Sequence, residues 1–189
     1  MDDILRGIQH ILDWRGYDHM LFLLALAAWA DWKGAGRLVF LATAFTVGHS
    51  VTLFLAGMDW VRPNGAWIEF LIPVSIVVTA LLNLRRSAAK GQGYRPGKWL
   101  YGVTVAFGLI HGLGFSSFFR ITRDPGEGIA MPLLRFNLGV EIGQLAFLLT
   151  FLAVASLLRA LGVTQREQQV FVCAGTFAVA LMMALERMP

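Results

Sequence analysis

The sequence predicts an all-α integral membrane protein, a bundle of about six transmembrane helices that forms one domain over residues 1–189. Hydrophobic residues make up 57% of the chain and charged residues only 15%, a balance that is unusual for a soluble domain. Several runs reach the roughly 20 mostly apolar residues that cross a bilayer. The basic residues cluster between these runs, so the net charge of +4 indicates membrane topology and not a nucleic-acid partner.

Six apolar runs are predicted to cross the membrane. Their expected bounds are 17–32, 38–56, 68–84, 98–119, 133–158 and 169–185. Because the first span is short, the amphipathic segment 1–16 is expected to lie in the membrane interface or to be re-entrant. Three spans per half make any internal repeat an inverted one. The similar segments AFTVGHS (44–50) and AFGLIHG (106–112) leave two inverted three-helix halves open as the internal organisation.

The distribution of basic residues predicts the orientation of the bundle. The loop between the third and fourth spans, residues 85–98, carries five of them. The positive-inside rule places such a loop in the cytoplasm. Both termini then lie outside, and we expect the chain in the cytoplasmic membrane of a bacterium, with the lipid bilayer as a partner.

Ionisable residues are rare within membrane spans and usually mark a function. Asp18 and His19 open the first predicted span, and His49 and His111 lie within the second and the fourth. Glu141 lies within the fifth. Counted at 1.5 Å per residue, His49, His111 and Glu141 reach similar depths, and Asp18 and His19 lie at or just above that level. We therefore expect one layer of imidazoles and carboxylates in the outer half of the bilayer.

Three imidazoles and two carboxylates suit a divalent transition metal such as nickel, cobalt or zinc, and the absence of thiolates argues against Cu(I). Further candidates are expected to surround the ion or line its pathway: His10, Ser50, Asn137 and Gln144. The spacing of Asn137, Glu141 and Gln144 places them on one helix face. Each histidine alone is compatible with structural hydrogen bonding, and Asp18 with a helix N-cap. An unpaired carboxylate at the depth of Glu141 is expensive.

Four segments together resemble the HupE/UreJ family: HILDWRGYDHMLFLLAL, TAFTVGHSVTL, FGLIHGLGF and FNLGVEIGQL, which span residues 10–145. Members of that family are accessory membrane proteins of hydrogenase and urease and are regarded as nickel or cobalt permeases. The resemblance implies metal-binding roles for Asp18, His19, His49, His111 and Glu141. It extends less directly to Asn137 and Gln144. His10 precedes Asp18 by eight positions, more than in the family's motif, which places His10 outside the implied ligands.

These observations predict a membrane permease for a divalent transition metal ion, with nickel or cobalt favoured. The ion would enter from the outer side, lose water to the histidines and carboxylates, and leave inward. A polar stripe on the third span, formed by Ser75, Thr79 and Asn83, is the expected exit. Binding must be weak enough to release the ion.

Three other functions remain open at this stage. The main alternative is an intramembrane zinc-dependent hydrolase, in which the same residues hold zinc and Asp18 or Glu141 acts as general base. A haem protein would use His49 and His111 as axial ligands. A purely structural or partner-binding membrane protein needs no ion at all. The residue pattern does not define the oligomeric state.

Overall fold

The computed structural model describes residues 2–89, 97–122 and 128–189, and in these residues the protein is all-helical. Seven α-helices follow one another over these ranges: α1 (Asp2–Leu12), α2 (Asp18–Ala27), α3 (Ala35–Gly57), α4 (Gly65–Ala89), α5 (Trp99–Thr122), α6 (Ala130–Ala160) and α7 (Gln165–Glu186). A 3-10 turn (Trp14–Gly16) joins α1 to α2. The predicted all-α class is confirmed.

Four helices are long and apolar enough to cross a membrane: α3, Gly65–Arg85 of α4, α6 and α7. Two further apolar helices are shorter in the described residues, Asp18–Ala27 and Trp99–Phe115. These six helices correspond in order to the six predicted spans, but α2 has only 10 residues, a rise of about 15 Å. Four spans are therefore supported by length, and α2 is too short to cross alone.

Large apolar side chains cover the outside of the bundle, and examples are Phe40, Leu157 and Phe171, which are 68%, 62% and 82% exposed. Apolar surface of this extent fits contact with lipid, so the structure agrees with an integral membrane protein. Half of the predicted basic loop 85–98, residues 90–96, lies outside the described residues, and residues 85–89 form the last part of α4. The predicted inverted halves stay a prediction.

The end of α2 at Ala27 differs from the predicted first span, which continued to residue 32. Side chains of other helices bind the carbonyl groups that this early end leaves open. Asn83 of α4 donates Nδ2–H to Ala25 O at 2.7 Å, and Gln165 of α7 donates Nε2–H to Trp29 O at 2.8 Å. Terminal carbonyls lack intrahelical partners, and a buried unpaired carbonyl is costly. These two amides allow α2 to end inside the bundle.

Close packing of α3 against α5 depends on Gly48 and Gly108. A Cβ atom at Gly48 would lie 2.2 Å from Val105 O, and one at Gly108 would lie 2.2 Å from Phe45 O. The contact is reciprocal, since each glycine faces a backbone carbonyl of the other helix. Small residues permit this approach between membrane helices. It brings His49, the residue after Gly48, close to α5.

The N-terminal helix α1 packs along α6 through another pair of glycines. A Cβ atom at Gly7 would lie 2.1 Å from Phe136 O, and one at Gly139 would lie 2.0 Å from Ile4 O. Ile11 at the end of α1 is 1% exposed. The interfacial or re-entrant location of segment 1–16 stays a prediction, but its docking on α6 has a clear consequence. It carries His10 to His19 in the first turn of α2 and to His49 in the middle of α3.

Candidate metal centre

Three histidines from three different helices converge in the structure. One ring nitrogen from each of His10, His19 and His49 lies within 4.8 Å of the other two. The ring centroids of His10 and His19 are 4.4 Å apart, and His49 lies 5.6 Å from His10 and 5.9 Å from His19. Imidazole nitrogens that bind one tetrahedral ion at about 2.1 Å lie about 3.4 Å apart. A contraction of at most about 1.4 Å would therefore bring the three nitrogens to the spacing of such a site.

The fourth histidine, His111, lies beside these three, with its ring centroid 5.1 Å from that of His19. Its Nε2 is 3.0 Å from Ser75 Oγ, and the Ser75 hydroxyl donates to Ile72 O at 2.6 Å. Because a serine hydroxyl has a single proton, Nε2 of His111 must carry the hydrogen and donate to Ser75. The lone pair of His111 is then on Nδ1, which is buried without a partner among the described residues. We call these four residues the histidine cluster.

Asp18 determines the tautomer of His19. Its Oδ1 accepts a hydrogen bond from His19 Nδ1 at 2.9 Å and another from the His19 backbone amide at 2.8 Å. An ionised carboxylate only accepts, so Nδ1 carries the proton and the lone pair of His19 is on Nε2. That nitrogen is buried and has no partner in the described part of the chain. A carboxylate that orients a metal-binding imidazole in this way is common in metal sites.

His49 is fully buried, at 0% exposure. Within the described residues neither of its ring nitrogens has a hydrogen-bond partner, while Phe45 and Phe136 stack against the ring at centroid distances of 6.1 and 6.4 Å. Leaving a buried polar group unpaired costs about 1–3 kcal/mol. Two ring nitrogens without hydrogen-bond partners, surrounded by aromatic rings, therefore indicate that the His49 imidazole binds a ligand.

Burial lowers the pKa of His10 well below its ordinary value, and repulsion from the neighbouring imidazoles of His19, His49 and His111 lowers it further. The charged form is disfavoured because it would lose hydration and face other rings. His10 is therefore neutral, as a metal ligand must be. Its Nε2 is buried and unpartnered within the described ranges.

Two of the predicted residues of α6, Glu141 and Gln144, form hydrogen bonds with α3. Thr43 donates its hydroxyl hydrogen to Glu141 Oε1, and Thr46 donates to Gln144 Oε1 at 3.0 Å. The other carboxylate oxygen of Glu141 and the Asn137 Oδ1 are buried without partners among the described residues. Among the described residues, the ligand atoms within 4.8 Å of one another are those of His10, His19 and His49, so Glu141, Asp18 and His111 lie outside this innermost set.

Ser50 forms its hydrogen bond within its own helix and not with the histidine cluster: its hydroxyl donates to Thr46 O of α3 at 2.6 Å.

The predicted polar stripe on α4 is buried. Thr79 donates to Ser75 O at 2.8 Å, and Gln169 of α7 donates to Asn83 O at 3.1 Å. With the bond from Asn83 to Ala25 O, this stripe runs from His111 to the carboxyl end of α2.

A cavity of about 280 Å³ lies beside the histidine cluster. Its lining combines ring and acidic side chains with small and apolar ones: His10, Asp13, Gly16, Asp18, His19, Glu69, Ile72, His111, Gly114 and Phe115. At its mouth, where the side chain of the lining residue Glu69 is 55% exposed, the guanidinium of Arg187 lies 3.1 Å from Glu69 Oε2 and 3.8 Å from Asp18 Oδ2. Sequence reasoning missed Glu69 and Arg187, because they lie far apart in the chain and neither has a motif or spacing that marks it.

A second, larger cavity of about 1280 Å³ lies between the carboxyl end of α6 and the first half of α7. Its lining is mostly apolar and includes none of the candidate metal ligands.

A family model described as HupE / UreJ protein matches residues 1–186, nearly the whole chain. Neither a curated protein nor a solved structure matches it.

Proposed function

Because this chain belongs to the HupE/UreJ family, we propose that it is a membrane permease for a divalent transition metal ion, nickel or cobalt, and binds this substrate at the histidine cluster. The observation that carries the proposal is the convergence of His10, His19 and His49 from three helices, with ligand atoms within 4.8 Å. Family membership favours nickel or cobalt, and imidazole ligands suit both.

The proposed ligands are Nε2 of His19, Nδ1 of His111, and the unpartnered nitrogens of His10 and His49. Asp18 keeps its predicted place at the site but acts through His19, whose lone pair it directs at the ion. His10 becomes a ligand in this proposal, although its sequence spacing argued against that role. Glu141 and Gln144 form a neighbouring polar contact with α3.

Ligand chemistry supports transport over permanent storage. Neutral imidazoles bind the ion without cancelling its charge. The Asp18 carboxylate does not bind the ion itself but accepts a hydrogen bond from the ligand His19. Binding of this kind releases the ion more readily than a cage of thiolates or carboxylates, and conduction depends on release. The ion would leave along Ser75, Thr79 and Asn83 of α4.

Orientation completes the proposal. Asp13 and Gly16, which follow α1, line the cavity, and Arg187 at the end of α7 lies against its lining residues Asp18 and Glu69. The positive-inside rule places both of these segments outside. The ion would therefore enter the cavity from outside a bacterial cytoplasmic membrane.

The alternatives receive less support from the contacts of their key residues. A hydrolase was predicted to use Asp18 or Glu141 as general base, but Asp18 binds His19 and Arg187, and Glu141 binds Thr43. The cavity of about 280 Å³ lies at the lower limit of typical sites for organic ligands, about 300–1,000 Å³. Such a volume fits a partly hydrated ion better than a haem.

Uptake of Ni²⁺ or Co²⁺ into proteoliposomes tests the proposal, with elemental analysis of the purified protein beside it. The wild type should bind about one ion per chain and transport it, and His49→Ala should do neither. Ser50→Ala is the matched control, because it removes a hydroxyl that donates within α3. A wild type that stays free of metal after incubation with nickel, cobalt and zinc would contradict the proposal.

A further inference from the structure

At the mouth of the cavity, we propose that Glu69 and Asp18 form an entry site for the metal ion, and that the Arg187 guanidinium occupies this site until the ion displaces it. The inference rests on the proposed function, since the arriving ion is the substrate of the permease. It adds two residues, Glu69 and Arg187, that act before the ion reaches the histidine cluster.

The contacts of Arg187 connect two helices at this point. Its Nη1 lies 3.1 Å from Glu69 Oε2 of α4 and 3.8 Å from Asp18 Oδ2 of α2. The other oxygen of Asp18 accepts the hydrogen bond from His19 Nδ1. One guanidinium therefore lies against two carboxylates, one of which directs an inner imidazole.

The cavity joins this ion pair to the inner ligands. Glu69 and Asp18 line the same cavity as His19 and His111. Both imidazoles are at least nine-tenths buried, with 5% and 1% exposure, and each has an open nitrogen among the described residues. An ion held at Glu69 would thus meet nitrogen ligands as soon as it moves inward.

Charge and mobility explain why Arg187 can be displaced. Two carboxylates face one guanidinium, and a divalent ion at the same distance gains about twice the Coulomb energy of a single positive charge. The guanidinium keeps its charge at all accessible pH values, so displacement depends on competition by the ion. Arg187 is the C-cap residue of α7 and its side chain is 32% exposed. Its side chain can therefore swing into water while the helix stays in place.

Opposite effects are expected from removing the cation and from removing the carboxylate. Arg187→Gln should speed association of Co²⁺ and lower the apparent Kd about threefold to tenfold, because electrostatic attraction at a cleft raises association rates. Glu69→Gln should slow association by a similar factor. Arg187→Lys keeps the charge and should remain near the wild type.

Co²⁺ binding to the purified full chain in detergent provides the test, with stopped-flow absorbance for the rate and titration for the Kd. Arg166→Gln is the matched control, since Arg166 lies in the first turn of the same helix and forms no ion pair in the described part of the chain. An unchanged or slower association of Arg187→Gln, with normal binding by the wild type, overturns the inference. If Arg187→Gln does not fold, Glu69→Gln decides, and an unchanged rate overturns the inference in the same way.

Failure of the proposed function gives a different result. In that case neither the wild type nor Arg187→Gln binds Co²⁺ or Ni²⁺ at all. Failure of the entry site leaves the wild-type affinity and the loss in His49→Ala intact, and removes only the effects of Glu69 and Arg187.

Discussion

The two ends of α2 are both polar and buried, but their hydrogen bonding differs. At the amino end, His19 joins the histidine cluster, and ring nitrogens in that cluster lack partners among the described residues. At the carboxyl end, the side-chain amides of Asn83 and Gln165 bind the carbonyl groups of Ala25 and Trp29. One end has lone pairs that a ligand can use, and the other has carbonyls that the protein itself satisfies.

This difference teaches how to separate a binding site from structural polarity in an apolar bundle. A histidine or an asparagine within a span looks equally unusual in the sequence. The distinction depends on whether donors and acceptors match, because unpaired buried groups cost free energy and paired ones do not. The amino end of α2 should therefore respond to metal, and the carboxyl end to loss of a hydrogen bond.

The largest expected effect is the loss of metal binding on replacing His49 by Ala. Ni²⁺ affinity should fall about 100-fold or more, or about 2.8 kcal/mol, because the variant lacks a fully buried ligand. Isothermal titration of the detergent-purified protein measures this. The free energy of unfolding without metal should change less than a buried deletion normally would, since an unpaired imidazole is removed with it. Wild-type affinity in this variant would remove the distinction between the two ends.

Added metal should stabilise the folded protein by an amount that depends on concentration. At Ni²⁺ one hundred times above Kd, the expected gain is about 2.7 kcal/mol, because the assembled cluster exists only in the folded state. Thermal unfolding in detergent at a series of Ni²⁺ concentrations measures it. Asn83→Ala should show the same gain and His49→Ala none. An equal gain in both variants would indicate that nickel binds elsewhere.

Replacing Asp18 by Asn should weaken binding by about tenfold, or about 1.4 kcal/mol. The amide can donate to His19 Nδ1 where the carboxylate accepts, and the ring proton then moves to Nε2 and removes the lone pair. Co²⁺ titration measures the change. Asp31→Asn serves as the control, since Asp31 accepts a hydrogen bond from the Gly34 amide near the carboxyl end of α2. Equal losses in the two variants would argue against a special role for Asp18.

Much of the fold could be predicted because composition and run length constrain a membrane bundle strongly. The early end of α2 could not, since the apolar run continues past Ala27. What allows the helix to end is the pair of amides from Asn83 and Gln165, which lie far along the chain. Local propensity contains no information about such partners.

The candidate site was predictable in its residue types and less so in its partners. His19 and His111 lie on helices whose place in the bundle follows from the spans. The sequence spacing argues against His10 as a ligand, yet the docking of α1 through Gly7 brings it beside His19 and His49. For Glu141, the helical period identified one polar face of α6 but could not say that Thr43 of α3 lies against it.

The smallest expected effect belongs to the carboxyl end of α2. Asn83→Ala removes the donor to Ala25 O and leaves a buried carbonyl unpaired, so the free energy of unfolding should fall by about 1 kcal/mol. Ni²⁺ affinity should stay within about twofold of the wild type, because the histidine cluster lies at the other end of the helix. Thr104→Ala is the control, since that buried hydroxyl donates to Leu100 O within α5 and that carbonyl keeps its helical bond. Unfolding in detergent and nickel titration on the same samples separate stability from binding. Lost nickel affinity with normal stability in Asn83→Ala would show that the amide belongs to the binding site after all.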